Sequence, residues 1–489
     1  MKTEIQEILD LAIEQHNSGQ LDEAISLYYS VLDKVNDQAD AHRLLGIALL
    51  SRGKGDDRKN MFAHLEQAIQ LRPNVAEYYN DLGTAYWVKR QFKRAQSAFE
   101  KSVQLKPGFI RAHYNLGNSL LIQRKFLEAA TAYERCVNLD NNWYQAHYNL
   151  GNCYHYLGKR EAALESFDYV ITHKPDHHEA YVARSAVHLK IGNFKQGWDD
   201  YEHRIYDANF PATIDHDIPR WSGEELEDEK LLVISEQGIG DTIQFCRYLD
   251  ILQESSGTIL AIVDESLIKL LGPNFSKTLF FPKDQIEDVI ARYNPDWQIH
   301  LMSLPYLYNT TLQTIPKTSP YLYVNTHGEF PQNNNEENLN VGLVWSGNPA
   351  QKDNVSRSCK LSDFRSLLDI RNVNFHSLQY QLSEDERLQL ENLNISTSEI
   401  DQARNFADTA KIISGLDLVI TVDTAVAHLA GAMGCETWVL LWKAHCWRYL
   451  ENRQDSPWYD SMKLFRQSKT DEWQPVIDKV ACELLKKTH

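Results

Sequence analysis

Leucine–glycine pairs recur at a fixed interval along the first part of the chain. Leu82-Gly83, Leu116-Gly117 and Leu150-Gly151 follow one another at steps of 34 residues. Each pair is followed by a small residue and then by an aromatic one, at Ala95 and Phe99, Ala129 and Tyr133, and Ala163 and Phe167. This period and content are typical of a helix-turn-helix repeat whose helices cross closely at small residues. One pair cannot bury its apolar face alone, so the pattern predicts a stack of helix pairs over residues 1–206.

The pattern changes to short apolar runs beyond residue 230. The runs of strand length lie at 231–235, 258–263, 278–281, 299–304, 341–344, 374–378, 416–421 and 437–441. Helical patterns alternate with them at 242–252, 362–370, 408–414 and 425–433. Such alternation predicts parallel sheets in α/β layers.

A polar stretch at 331–338 divides these runs into two series. We therefore predict a linker at 207–229, one lobe at 230–335, and a second lobe at 336–489 that ends in a C-terminal helix. Ligands of such folds bind beyond the carboxyl ends of the strands, which places the expected cleft between the lobes.

Composition and charge narrow the function classes. The chain has 489 residues and a net charge of −17, which argues against general binding of nucleic acid. Seven cysteines without CxxC or zinc spacing predict a reduced, cytoplasmic protein without a metal site. We expect no membrane span, because no apolar run reaches the required length, and no signal peptide, because residues 1–15 are acidic.

A glycine motif follows the first predicted strand. Gly238 and Gly240 precede Asp241, and a helical pattern begins directly afterwards. Glycines let the backbone approach a ligand, and the start of a helix favours anions. Asp241 is therefore a candidate general base at the cleft. The alternative is that Asp241 only caps the helix, and spacing alone favours that alternative.

A second strand–helix junction contains Asp423, Thr424 and His428. The N–H groups of the first helical turn, together with Thr424, can hold a diphosphate. His428 comes four residues after Thr424 and so shares its helix face. In the alternative interpretation Asp423 caps the helix and His428 is an ordinary buried histidine.

Two further regions combine aromatic and cationic side chains. Trp345 and Asn348 lie in a predicted strand-end loop, and Lys352 and Arg357 follow. The cations can neutralise phosphate, although an exposed basic loop is the simpler alternative. The C-terminal region can line a sugar or base pocket, or it can simply pack the C-terminal helices across both lobes. Its members are Trp442, His445, Trp447, Arg448, Arg453, Trp458 and Tyr459.

In this order, the motifs resemble those of bacterial heptosyltransferases, a glycosyltransferase family 9-like group with the GT-B fold. The matching segments are Gly240-Asp241, Asp423-Thr424 with His428, residues 345–349 with Lys352 and Arg357, and residues 456–459 with 464–467. The resemblance is to the subset with N-terminal tetratricopeptide repeats. It implies an α-solenoid of such repeats followed by an α/β GT-B fold of two Rossmann-like lobes, with the acceptor on the first lobe and the nucleotide-sugar on the second.

The resemblance also implies an inverting, metal-independent transfer from a nucleotide-sugar, with no cofactor. Asp241 would deprotonate the acceptor. Lys352 and Arg357 would contact the donor, together with Asp423, Thr424 and His428. Heptosyltransferases usually have glycine where this chain has Ala425, so backbone approach to the diphosphate would differ there. Other residues that can line the cleft are Gln237, Gly238, Gly240, Trp345, Asn348, Gln379 and Trp442.

The repeats are also similar in layout to those of O-linked N-acetylglucosamine transferase. Asn115 and Asn149 stand one period apart, with Asp81 at the corresponding earlier place. Amides of this kind can donate to and accept from an extended peptide backbone. The candidate peptide-binding residues are Asp81, Asn115, Asn118, Asn149 and Asn152. The alternative is that these side chains have no binding role.

Together, these resemblances imply a glycosyltransferase that modifies a protein or peptide held by the repeats. Two alternatives remain open at this point. One is a non-catalytic repeat scaffold with a degenerate transferase region. The other is a transferase that acts on a glycan.

Overall fold

The protein divides into two compact units in the computed structural model, Met1–Ala180 and Tyr181–His489. The structure describes residues 2–55, 57–207, 210, 217–316, 320–325, 338–351, 353–393, 395, 397–469 and 472–488. A part of the predicted linker at 207–229, residues 208–209 and 211–216, and nearly all of the polar stretch at 331–338 fall outside these residues.

The first unit is a series of antiparallel helix pairs. Its helices are α1 (Lys2–Asn17), α2 (Leu21–Lys34), α3 (Ala39–Arg52), α4 (Asp57–Leu71), α5 (Ala76–Val88), α6 (Phe92–Leu105), α7 (Ile110–Ile122), α8 (Phe126–Leu139), α9 (Tyr144–Leu157), α10 (Arg160–His173) and the start of α11 (His178–Lys190). Consecutive helices from α1 to α10 pack against each other. The predicted helical repeats are thereby confirmed.

The repeated glycines permit the close crossing within each pair. A Cβ built on Gly83 would lie 2.6 Å from the ring of Phe99, and one on Gly117 would lie 2.5 Å from Tyr133. The aromatic residue of the second helix therefore rests directly on the backbone of the first helix. This explains why the glycine and the aromatic residue recur together in the sequence.

The second unit begins with helices and a four-stranded parallel sheet in the order β3-β2-β1-β4. After α12 (Phe194–Tyr201) come β1 (Lys230–Ile234), α13 (Ile239–Phe245), α14 (Tyr248–Leu252), β2 (Thr258–Val263), α15 (Glu265–Asn274), β3 (Thr278–Pro282), α16 (Ile286–Tyr293), β4 (Trp297–His300) and α17 (Leu304–Leu307). Short 3-10 helices lie at Glu202–Tyr206, Lys283–Gln285 and Leu301–Ser303.

A five-stranded parallel sheet follows, in the order β6-β5-β7-β8-β9. Its elements are β5 (Leu339–Val344), α18 (Asn354–Arg357), α19 (Arg365–Leu368), β6 (Val373–Ser377), α20 (Glu384–Asn392), α21 (Ser398–Gln402), α22 (Phe406–Ser414), β7 (Leu418–Val422), α23 (Ala425–Ala432), β8 (Thr437–Leu441), β9 (Met462–Arg466) and α24 (Gln474–Lys487), with 3-10 helices at Leu361–Phe364 and Trp447–Tyr449. The α/β class is confirmed. One hydrophobic core contains side chains of both sheets, such as Val233 and Val439.

Three local predictions differ from the structure. The predicted strand at 299–304 ends at His300, because Pro305 lies in the first turn of α17, where a proline favours a helix start. The predicted helix at 242–252 is interrupted between α13 and α14. Strand β9 was not predicted, since Lys463 and Arg466 break its apolar run.

The end of the repeat region also differs from the boundary of the compact units. The predicted solenoid ran to residue 206, whereas the second unit begins at Tyr181. Trp198 of α12 is buried and donates from Nε1 to the carbonyl oxygen of Thr310 at 3.1 Å. The last helix of the predicted repeat series thus packs with the α/β region.

Candidate functional site

The loop after β1 presents Asp241 in the first turn of α13. The N-cap of this helix is Gly238, and Asp241 is its third residue. Oδ2 of Asp241 accepts a hydrogen bond from the Gly238 amide at 2.9 Å. Asp241 therefore caps α13 from its third helical position, whereas the N-cap residue itself is Gly238. Gln237 precedes it with a φ of 61° and donates to the Tyr201 hydroxyl.

Gly240 brings this loop against α23, which follows the middle strand of the other sheet. A Cβ built on Gly240 would lie 2.9 Å from Cδ2 of His428 and 3.4 Å from Cα of Ala425. Only a glycine allows the two helices to approach so closely. The ends of β1 and β7 consequently lead into one shared region of the second unit.

Arg448 joins the two halves at this place. It lies in the 3-10 helix beyond β8, forms an ion pair with Oδ1 of Asp241, and donates from Nε to Gln244 at 2.8 Å. Burial opposes its charge, but Asp241, Cys446 and Tyr201 together outweigh burial and raise the pKa of Arg448. Both oxygens of Asp241 are thus engaged, one by a guanidinium and the other by a backbone amide.

Asp423 and Thr424 form the start of α23. Asp423 accepts from the Tyr449 hydroxyl at 2.8 Å, and burial raises its pKa although this hydrogen bond opposes the change. The N-cap is Thr424, whose hydroxyl lies 3.0 Å from that of Thr421 and caps no backbone amide. The first turn of α23, including Ala425, is therefore left without a side-chain cap from Thr424, as an anion site requires.

His428 is buried beneath this junction, with 5 % of its surface exposed. Its Nδ1 lies 3.0 Å from the Tyr459 hydroxyl. Burial, and then the charges of Arg448, Arg247 and Arg357, lower its pKa to about 3. His428 is thus a neutral, hydrogen-bonded interior histidine, as the alternative interpretation of the sequence expects. It nevertheless lies next to the candidate site.

Two more arginines act on the same region. Arg247 is buried and donates to the carbonyl oxygens of Gln244 and Trp458, at 2.8 and 2.9 Å, and to the Tyr321 hydroxyl. These acceptors carry no formal charge, so they do not neutralise the positive charge of Arg247. Arg357 lies against Gly347 and donates to Asn354, again an uncharged partner. Lys352 lies outside the described residues.

The loop after β5 is held by an internal hydrogen-bond network. Gln379 accepts from the amides of Trp345 and Ser346 at 3.2 and 2.9 Å. The Trp345 indole donates to Glu386 at 2.7 Å, and Trp345 is buried. Asn348, by contrast, is exposed. Trp345 and Gln379 therefore shape this loop, while Asn348 is open to solvent.

Most of the C-terminal aromatic side chains are packing residues. Trp442, Trp447, Trp458 and Tyr459 are buried, and Trp458 contacts Phe245 of α13. The same segment of the chain nevertheless supplies the two residues that complete the site, Arg448 and Tyr449. Sequence reasoning placed Arg448 among residues that can line a sugar or base pocket, and it missed Tyr449 and Arg247. The density of arginine and aromatic residues at 442–459 was the only signal for Tyr449.

The polar residues of the first unit are linked from repeat to repeat. Asn115 donates to Asn80 at 2.9 Å, and Asn149 donates to Asn118 at 3.1 Å. Asn118 also accepts from the Tyr133 hydroxyl at 2.6 Å. Asp81 forms an ion pair with Arg43, and Asn152 is half-buried. Asn115, Asn118 and Asn149, which were predicted to hold a peptide, therefore already use part of their hydrogen-bonding capacity within the chain.

No helix within the described ranges is long and apolar enough to cross a membrane. Across the same part of the chain, His, Cys, Asp and Glu side chains form no group of three or more that could hold a metal ion.

Comparison with known proteins defines the class of the first unit. Residues 80–146 and 144–177 match family models of the tetratricopeptide repeat. The chain therefore contains tetratricopeptide repeats, and these point to a protein-interaction scaffold.

The chain is also similar to individual proteins, over different shares of its length. Protein FlbA of Caulobacter vibrioides is 29% identical over 334 residues, which cover 62% of this chain and 54% of FlbA. The chain thus spans about half the length of that curated relative. Among solved structures, YrrB, described as a tetratricopeptide protein with an unusual peptide-binding site, is 22% identical over 37% of this chain and 91% of its own, with a TM-score of 0.34. MamA from Desulfovibrio magneticus is 21% identical over 35% and 96%, with a TM-score of 0.33.

Proposed function

We propose that the second unit is an inverting, metal-independent glycosyltransferase of the GT-B kind, and that the repeats hold its polypeptide acceptor. The observation that carries this proposal is the junction at Gly240. There Gly240, which directly precedes Asp241, lies against the start of α23 after β7, where Thr424 provides no side-chain cap. Cleft ligands of open α/β sheets bind beyond such strand ends.

The local charge fits a nucleoside diphosphate leaving group. Arg247, Arg357 and Arg448 all act on His428, although the chain as a whole carries a net charge of −17. A departing diphosphate gains negative charge in the transition state, and preorganised cations and helix N–H groups stabilise that charge. In this proposal they replace a metal ion.

Asp241 serves as the base in this proposal. To accept the proton of an acceptor hydroxyl, Oδ1 of Asp241 has to exchange Arg448 for that hydroxyl, while Oδ2 keeps the Gly238 amide. The deprotonated oxygen then attacks the anomeric carbon from the face opposite the diphosphate. The bond from carbon to diphosphate breaks, the diphosphate leaves with the electron pair, and the configuration inverts.

This exchange also allows Arg448 to bind the donor. Once released from Asp241, its guanidinium can pair with two diphosphate oxygens, the geometry that arginine favours. Binding of the donor and activation of the base would then be coupled through one side chain.

A non-catalytic scaffold is the second candidate, and one observation favours it. Asp241, Asp423 and His428 are each engaged by another side chain of the chain itself, namely Arg448, Tyr449 and Tyr459. A site whose groups satisfy one another needs no ligand for stability. A transferase with a glycan acceptor remains the third candidate, because the proposal for the second unit does not depend on the acceptor class.

Release of nucleoside diphosphate from UDP-, GDP- and ADP-sugars, with and without candidate acceptor proteins, tests the reaction. We expect Asp241→Asn to reduce turnover by about 10²- to 10⁴-fold, the usual contribution of a general base. Asp288→Asn changes an exposed carboxylate of α16 and should leave turnover unchanged. Full turnover in Asp241→Asn would refute the assignment of the base.

Calorimetry with the free diphosphates separates the enzyme from the scaffold. Saturable binding that is weakened in Arg448→Gln would support the donor site. A wild-type protein that neither binds a diphosphate nor turns over any of these donors would favour the scaffold.

A further inference from the structure

Three of the turns that join the two helices of a repeat, α5–α6, α7–α8 and α9–α10, carry an unusual concentration of positive charge. Between residues 86 and 126 the chain has nine Lys or Arg residues and a single carboxylate, Glu100, within a protein of net charge −17. Most of these cations lie at the turns α5–α6 and α7–α8, and the turn α9–α10 adds two more. We call this set the basic edge: Lys89, Arg90, Lys93, Arg94, Arg124, Lys125, Lys159 and Arg160.

Two arginines of the basic edge occupy a backbone conformation that favours glycine. Arg90 has a φ of 58° and Arg124 a φ of 62°, directly after the ends of α5 and α7. The same turn, with the same pair of backbone hydrogen bonds, has Gly19, Gly158 or Gly192 at this place elsewhere in the chain. A left-handed backbone is unfavourable for arginine, so folding alone would select glycine here as well. Such strain is most often retained where a side chain serves a function.

The cations of the first turn are not neutralised by the chain itself. Within the described residues, Lys89, Arg90, Lys93 and Arg94 form no ion pair; Arg94 instead donates to Gln91. Their charges therefore remain available to a partner. Buried cations would need compensation, but these lie at the surface, where an opposite charge from outside can approach.

Apolar side chains protrude between the cations. Val88 ends α5 and is 52 % exposed, while Ile122 ends α7 and is 49 % exposed; they stand one period apart. Leu127, in the first turn of α8, is 58 % exposed. Cations alone would fit any anion. Protruding aliphatic groups at the same period add contacts for apolar side chains.

We propose that the basic edge binds an acidic polypeptide segment in which carboxylates alternate with apolar residues. The cations would pair with the carboxylates, and Val88, Ile122 and Leu127 would contact the apolar positions. A protein partner is favoured over other polyanions because tetratricopeptide repeats are protein-interaction elements and the exposed groups follow the period of the repeat. The surface is separate from the amide ladder of Asn115 and Asn149, and binding there requires no glycosyl transfer.

The test measures binding to the full chain by fluorescence anisotropy. The probe is a labelled peptide of about 16 residues that alternates Glu or Asp with Leu and Phe, at low and moderate ionic strength. We expect saturable binding that weakens with salt. Replacement of Arg90 by glycine together with Arg94 by glutamine, both exposed in the first of these turns, should weaken it at least about tenfold. Glycine suits the turn, so a loss of binding cannot be attributed to a loss of folding.

A charge-matched control separates the edge from general attraction. Lys101→Gln with Arg111→Gln removes two exposed cations of the same unit that lie outside the basic edge. We expect less than about a twofold change for this pair. Equal weakening by both double variants, or absence of binding by the wild-type protein, would overturn the proposal.

Two further titrations, with other polyanions as probes, identify the class of the partner. Vesicles that contain phosphatidylserine, and a single-stranded oligonucleotide of similar charge, replace the peptide in the same titration. Tighter binding to either of these than to the peptide would overturn the assignment to a polypeptide. The binding assay contains no nucleotide-sugar, so its outcome is independent of whether the second unit transfers sugar.

Discussion

At the scale of single residues, Gly240 decides how closely α13 and α23 approach each other. Its missing side chain leaves room for His428 and for the backbone of Ala425. The glycine was expected to let the backbone approach a ligand. Its nearest neighbours are instead parts of the chain, and the approach it allows brings Asp241 close to the start of α23.

We predict that Gly240→Ala destabilises the protein by about 1–3 kcal/mol, because its Cβ would meet His428 Cδ2 at 2.9 Å in a packed crossing. Urea unfolding followed by tryptophan fluorescence measures the change. Gly272→Ala in α15 is the matched control: its Cβ meets nothing within 4 Å, so the substitution should be neutral or slightly stabilising. Equal effects of the two alanines would contradict this account of Gly240.

His428 makes the stability of the second unit dependent on pH. Burial and three neighbouring guanidinium groups lower its pKa from 6.5 to about 3. Between these two values the unfolded chain binds a proton that the folded chain does not. Stability from this residue is therefore complete above about pH 6.5 and is lost as the pH falls toward 3.

We predict that His428→Gln flattens the decline of stability between about pH 6.5 and pH 4 by roughly one proton, which is up to about 1.4 kcal/mol per pH unit. Urea midpoints at a series of pH values provide the measurement. Glutamine can still bond to Tyr459, so above pH 7 the variant and the wild type should differ little. An unchanged slope would show that His428 does not contribute to the decline, which the buried His300 and His445 would then account for.

At the scale of elements, the repeats show how one turn is built from different residues. The turns after α5, α7 and α9 share a backbone path, yet Arg90, Arg124 and Gly158 occupy its left-handed position. The turn is therefore dictated by the helices that it joins. A residue other than glycine can occupy the left-handed position, but it lowers the stability of the fold.

We predict that Arg90→Gly and Arg124→Gly each stabilise the first unit by about 1 kcal/mol, and that Gly158→Ala destabilises it by a similar amount. Thermal unfolding followed by circular dichroism at 222 nm measures both directions. Destabilisation by the two arginine replacements would mean that side-chain contacts of Arg90 and Arg124 outweigh the backbone strain.

At the scale of the whole molecule, positive charge collects at two separate places in an acidic chain. One is the basic edge of the first unit, and the other is the set of arginines around His428 in the second unit. Each lies in its own compact unit. Their ligands should therefore be distinguishable in the intact protein.

We predict that a bound nucleoside diphosphate protects amides of α13 and α23 from hydrogen exchange and leaves those of α5–α10 unchanged. At about 100 times the dissociation constant, the ligand should stabilise the second unit by about 2.7 kcal/mol. Exchange measured by mass spectrometry on the full chain tests this. Protection confined to the first unit would place the ligand elsewhere and remove support for a donor site near Gly240.

The local pattern of apolar and polar residues was enough to predict most of the fold. The predicted runs at 258–263 and 437–441 coincide with β2 and β8. These strands are continuous apolar segments buried in a parallel sheet, so their pattern is local and strong. Strand β9 escaped prediction because its pairing with β8, rather than its own composition, defines it. Residues 301–304 were misassigned because apolar side chains pack equally well from a strand or a short helix.

The sequence alone determined the helical repeats, the change to an α/β region and the positions of Asp241, Asp423 and His428 at strand ends. Each rests on a periodicity or on neighbours within one strand–helix junction. Only the tertiary structure decided that Arg448 pairs with Asp241, 207 residues earlier in the chain, and that Arg247 and Tyr449 belong to the same region. Such pairings arise when separate apolar elements pack into one core, and no local pattern records which polar side chains that packing brings into contact.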